Sequence, residues 1–186
     1  IDFDLLSREF AHTRRKNLLL RDLDELVNQQ LAKMLFANPQ RIDYYDRYQE
    51  IIDAYNAEQN RATIEKTFMD LMELASSLDT EQQRYVREGF SSDEELSVYD
   101  LLFSENLTKQ EIETIKKVSV DLLTKIKQQI AKLDHWTDKQ ETKAIVDNLI
   151  RNTLWQELPN SYDVSDIQTY QKKIYEYVYM RYPEVA

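Results

Sequence analysis

The stretch TKQEIETIKKVSVDLLTKIKQQI, residues 108–130, decides the fold class. It opens on Thr108, with Glu111 three residues later. At that spacing the hydroxyl accepts from an orphan N–H of the first helical turn, and the carboxylate reaches back to the cap's own N–H. Behind it Ile112, Ile115, Leu122, Ile126 and Ile130, continued by Leu133, keep to one face at helical period. A start signal followed by a long one-sided apolar stripe reads as an amphipathic helix, and its stripe must be buried against other elements.

The same pattern recurs on either side. Thr80 with Gln83, Ser92 with Glu95, Thr137 with Gln140 and Ser165 with Gln168 repeat the capping-box spacing, which predicts further helix starts. Ile145, Leu149, Ile150 and Leu154 form one more stripe. Toward the N-terminus, Leu23, Leu26, Val27, Leu31, Met34 and Leu35 form another. It stops near Asn38 and Pro39, because the residue before proline disfavours helix. Ile42, Tyr45, Tyr48, Ile52 and Tyr55 repeat at three or four, as do Ile64, Phe68, Leu71, Met72 and Leu78. Gly89 stands where a helix ending at Arg87 and Glu88 would take a left-handed cap. Only 56–61 and 157–163 read as looser connections. The expectation is an all-α chain: a compact irregular bundle of eight or nine helices with no sheet, forming one helical domain over 1–186. Residues 1–38 are expected to lead in from a preceding domain. No repeat at a solenoid period and no sustained heptads appear.

Composition excludes much chemistry. Gly89 is the only glycine, where average usage would place roughly a dozen. Phosphate-cradling loops need several, because backbone N–H groups must approach the ligand closely. The formal net charge of −10 opposes duplex binding on average, so DNA is expected to be bound weakly or not directly. The one dense basic run is Arg14, Arg15 and Lys16, with Arg8 and Arg21 nearby; it reads most simply as a solvated helix start. The absence of cysteine fits a reducing, cytoplasmic setting. No apolar run approaches the ~20 residues of a membrane span, and nothing resembles a signal peptide. The chain begins on Ile1 rather than methionine, so a fragment of a longer protein is expected.

Candidate catalytic groups are sparse. Glu9 and His12 match half of a di-iron helix motif, but the second copy is missing, since position 132 is lysine opposite His135. Asp134, Glu141 and Lys143 echo the acid-x-lysine spacing of metal-dependent nucleases. On a helix, however, Glu141 and Lys143 point to different faces. Asp93, Glu94 and Glu95 suit a helix N-terminus. No catalytic, cofactor-binding or metal-binding residue is therefore expected. The unusual feature is the C-terminal helix. On a helical wheel Tyr170, Ile174, Tyr177 and Val178 share one face, and Tyr175, Tyr179 and Tyr182 share another. Two aromatic faces allow one to pack inward and one to meet a partner, since tyrosine buries a large ring while keeping a wet hydroxyl. The alternative, that both faces are core, stands beside it.

Three stretches carry a resemblance: NPQRIDYYDRYQEIIDAYN at 38–56; YVREGF at 85–90 followed by EELSVYDLL at 94–102 and LTKQEI at 107–112; and LPNSYD at 158–163, preceded by Trp136 and the Thr142–Lys143 pair. In order and spacing the chain resembles the C-terminal helical domain of the restriction (R) subunit of type I restriction–modification enzymes. The resemblance implies a non-catalytic helical assembly domain. It would follow the helicase domains of the same chain and dock an ATP-dependent DNA translocase and endonuclease onto the methyltransferase core. ATP and Mg²⁺ are implied for the parent subunit and no cofactor for this region. The candidate partner interface is Trp136, Lys143, Tyr175, Tyr179 and Tyr182. Family members commonly carry arginine where Lys143 stands, and lysine lacks the bidentate geometry of arginine. The alternative reading is an unrelated all-helical protein-interaction adaptor.

Overall fold

The computed structural model describes residues 2–58 and 60–183. Among them the chain is all-α: nine α-helices, one short 3-10 turn and no strand. It divides into two compact units, Ile1–Arg87 and Glu88–Ala186.

The first unit contains α1 (Phe3–His12), α2 (Lys16–Ala37), the 3-10 turn Pro39–Arg41, α3 (Ile42–Ala57), α4 (Arg61–Gln82) and the single turn α5 (Arg84–Arg87). Helix α4 packs on both α2 and α3. The α2 stripe Leu23, Val27, Leu31 and Met34 meets Phe68, Leu71, Leu74 and Leu78 of α4 in one buried cluster. Helix α1 closes one end of it, where Phe10 stacks on Phe68 with ring centroids 3.7 Å apart. Asn38 ends α2 in an extended conformation, and its side chain accepts from the Gln40 N–H while Pro39 opens the next turn. That cap is the stop expected before proline. At the far end of α4, Arg41 Nε donates to Glu81 Oε1 at 3.0 Å, and Arg84 reaches the same oxygen at 3.2 Å. The Arg41 and Glu81 side chains are only 3% and 7% exposed.

The second unit contains α6 (Asp93–Leu102), α7 (Lys109–Ile130), α8 (Gln140–Glu157) and α9 (Val164–Arg181). Each helix packs on the next, and α9 returns to α6, so the four close a ring around a shared core. Leu96, Leu102, Ile115, Leu122, Ile126, Val146, Ile150, Leu154, Ile174 and Val178 fill it. Tyr162 pins the loop before α9 by donating its hydroxyl to the Leu102 carbonyl at 2.7 Å. Gly89 has φ +84°, the left-handed conformation expected after Arg87.

The box that opens α7 forms in full: Thr108 accepts from the Glu111 N–H, and the Glu111 carboxylate accepts from the Thr108 N–H at 2.8 Å. Ser92 caps α6, with Glu95 reaching one residue further back to the Ser91 N–H. Three expected boxes do not form. Thr80 lies inside α4 and donates to the Ser76 carbonyl, because buried Leu78 and Glu81 carry α4 past it. Thr137 sits in a turn that buries Trp136, and α8 starts after Lys139 without a side-chain cap. Ser165 is displaced by Asp163, which forms the box with Asp166 two residues earlier. Within the stripes, Leu26, Ile42, Tyr45 and Ile145 face solvent; the buried side of α3 runs through Tyr44, Tyr48 and Ile52 instead.

Candidate protein-interaction site

Helices α8 and α9 run antiparallel: Asp147 of α8 accepts from Gln171 of α9 at 2.8 Å, and Lys143, one turn earlier, lies over Tyr179, two turns later. The start of α8, the end of α9 and the turn before α8 therefore meet at one corner of the second unit. Four of the five residues expected at a partner interface converge there.

Trp136 is the keystone. It is only 1% exposed, and its indole N–H donates to the Tyr182 carbonyl at 2.6 Å. Its own carbonyl accepts from the Thr142 hydroxyl at 2.7 Å, which fixes the entry into α8. Tyr175 and Tyr179 stand edge-on to the indole, with centroids 6.1 and 5.7 Å away. Such T-shaped pairs align the positive edge of one ring with the negative face of another. Lys143 Nζ lies 5.8 Å from the Tyr179 centroid, a cation–π arrangement that holds the ring from the α8 side. Burial, and then the charge of Asp147, raises the Tyr175 hydroxyl above its ordinary pKa.

The outward surface of this corner is a groove of about 330 Å³ lined by Lys143, Tyr175, Glu176, Tyr179 and Met180. Tyr179 is 39% exposed and Met180 73%. The site thus has a buried aromatic floor, an apolar lip, and one charge of each sign on its edge.

Two of the five do not line the groove itself. Trp136 lies beneath the groove and offers no surface. Tyr182 does not extend the Tyr175–Tyr179 face: it follows the last turn of α9 with φ −126° and ψ 54°, so its ring swings back toward the bundle. There it stands edge-on to Tyr177, with Lys127 Nζ 5.2 Å from its centroid. Burial pushes the Tyr182 hydroxyl well above the usual phenol range. Met180 and Glu176 were not anticipated; Met180 could have been noticed as an apolar residue on the helical surface beside Tyr179.

Glu141 and Lys143 both lie at the start of α8, two residues apart and so on different faces of the helix. Lys143 is engaged with Tyr179, while Asp134 is almost fully exposed in the preceding turn. Among the described residues no group of three or more His, Asp or Glu side chains gathers as a metal site. Also among them, no helix is long and apolar enough to cross a membrane.

A comparison with family models matches residues 1–182 to the C-terminal domain described as type I restriction enzyme HindI endonuclease subunit-like. The chain belongs to that family. No curated protein and no solved structure matches it.

Proposed function

We propose that this chain is a non-catalytic assembly domain. It docks the restriction subunit, an ATP-dependent DNA translocase and endonuclease, onto the methyltransferase core of a type I restriction complex. Membership of the family supplies the setting. The observation that carries the docking role is the groove of Lys143, Tyr175, Glu176, Tyr179 and Met180. Tyrosine and methionine over a rigid aromatic floor suit an interface centre, where anchors must be ordered before the partner arrives. Lys143 and Glu176 supply the polar rim. ATP and Mg²⁺ belong to the motor and nuclease domains that precede this region in the parent, which acts on DNA in the cytoplasm.

The test uses the full-length restriction subunit and its modification core. Met180→Glu alters the most exposed anchor without touching the rings packed on Trp136, while Tyr179→Ala removes the second anchor together with one of those ring contacts. A hot-spot truncation costs about 2 kcal/mol or more, roughly thirtyfold in affinity. Weaker association at an unchanged melting temperature supports the reading. Unchanged association for both variants places the interface elsewhere.

A further inference from the structure

A second feature lies in the first unit, at the break between α1 and α2. Five of the six charged residues between positions 5 and 21 are basic, in a chain whose formal net charge is −10. The fold gathers the densest part of that run into a cleft of about 640 Å³. Arg14, Arg15, Lys16 and Arg61 line it.

The backbone sets the arrangement. Thr13 ends α1 in an extended conformation, and its hydroxyl accepts from the Arg15 N–H at 3.0 Å. That turn places Arg14 and Arg15 directly before α2. Helices α2 and α4 run parallel, since Lys16 pairs with Glu65 and Gln30 with Asp79 at the same offset. Both therefore point their N-termini, the positive ends of their dipoles, at this cleft. Arg15 sits at the N-cap of α2 without a side-chain cap, and neither helix has an acidic residue in its first turn. Helix starts normally favour the opposite composition.

One carboxylate at the cleft is shared. Glu65 Oε1 accepts from Lys16 at 2.6 Å and from Arg61 at 3.2 Å, holding the two cations side by side. Its carboxyl is held below the usual range, chiefly by the hydrogen bond from Lys16 and then by that from Arg61. Among the described residues no carboxylate pairs with Arg14 or Arg15. Cations stacked on two positive helix ends repel one another, and an anion entering the cleft relieves that repulsion.

We propose that this cleft binds the phosphodiester backbone of duplex DNA, without base selectivity, through Arg14, Arg15 and Arg61. The side chains suit that role, since arginine forks match phosphate oxygens and backbone contacts require no groove-reading element. Membership of an endonuclease-subunit family makes DNA the polyanion at hand. Acidic groups further away are screened over about 8 Å at physiological salt. The cleft and the docking groove are lined by different residues, so either assignment can fail alone.

The experiment is fluorescence anisotropy of the 186-residue chain with a labelled duplex of mixed sequence, titrated across salt concentration. Three phosphate contacts give a slope of log K against log salt of about −2.7. Arg14→Gln with Arg15→Gln should remove about two units of slope, and Arg61→Gln about one. The lysine pair Arg14→Lys with Arg15→Lys keeps the charge and should retain most of the binding, which separates lost contact from lost folding. Lys172→Gln, an exposed cation on α9, should change nothing. The proposal is overturned by absence of binding at the lowest salt. It is equally overturned if the double glutamine variant binds as the parent does, or if a polyglutamate peptide of matched charge competes as well as DNA.

Discussion

Replacing Glu81 by leucine probes the buried charge cluster that joins the end of α4 to the turn before α3. The carboxylate lies between Arg41 at 3.0 Å and Arg84 at 3.2 Å, and the Tyr44 hydroxyl donates to it at 3.4 Å. Leucine has a similar volume, so little packing is lost and the effect isolates charge. Exposed pairs such as Lys66 with Asp70 contribute about 0–1 kcal/mol. A pair buried as deeply as Arg41 and Glu81 behaves differently: deleting one member of such a pair costs about 3–5 kcal/mol, because the charge that remains has lost its opposite in a low-dielectric site. For a unit of this size each kcal/mol shifts the melting temperature by roughly 4 °C or more, so a loss of at least about 12 °C is expected. Hydrogen exchange should place the loosening in residues 1–87. The companion variant combines Arg41→Met with Glu81→Leu. It removes both charges and should recover most of the loss, because an apolar pair can replace a buried ion pair at little cost. A single-variant loss below about 1 kcal/mol would refute the reasoning, as would a double variant no more stable than the single.

Two further expectations follow from local geometry. A Cβ added at Gly89 meets nothing within 4 Å, so Gly89→Ala should cost only the left-handed backbone penalty, about 1–2 kcal/mol by thermal melting; a neutral effect would mean that the turn relaxes. The Glu111 carboxyl is held below its ordinary value first by the Thr108 hydroxyl and then by the Thr108 N–H. A carboxyl depressed in the folded state stabilises it above the unfolded value of 4.5 and loses that contribution as pH falls through the folded value. The stability gap between the parent and Glu111→Gln should therefore narrow as the solution is acidified below that point, and a gap independent of pH would contradict the assignment.

The helices were legible because period and caps act locally. The stripe of α7, the stop at Asn38 and Pro39, and the left-handed Gly89 each rest on a few neighbouring residues. What escaped depends on tertiary contacts. Thr80 has the spacing of a cap, but buried Leu78 and Glu81 hold the surrounding chain helical. Asp163 outcompetes Ser165 because the preceding loop is pinned through Tyr162. At the candidate site, sequence identified the aromatic residues and left open which were structural. A helical wheel cannot show that Trp136 is the floor, since its role is set by an indole bond to a carbonyl 46 residues away. Nor can it place Tyr182, which lies past the last helical residue and no longer follows the wheel. The basic run was visible from the start, but its meeting with Arg61 required the parallel packing of α2 and α4.

The burial of Trp136 has a practical consequence. The chain's two tryptophans, Trp136 and Trp155, both belong to the second unit, and the first has none. Trp136 is sealed against Tyr175 and Tyr179, while Trp155 is 50% exposed on α8. Intrinsic fluorescence thus carries a shielded emitter beneath the groove and a solvated one on the helical surface, separable by an external quencher. Occupation of the groove can be followed optically without a label. Both emitters report on the second unit, whereas circular dichroism reports helix from both, so a melting step seen by circular dichroism alone would be assigned to the first unit.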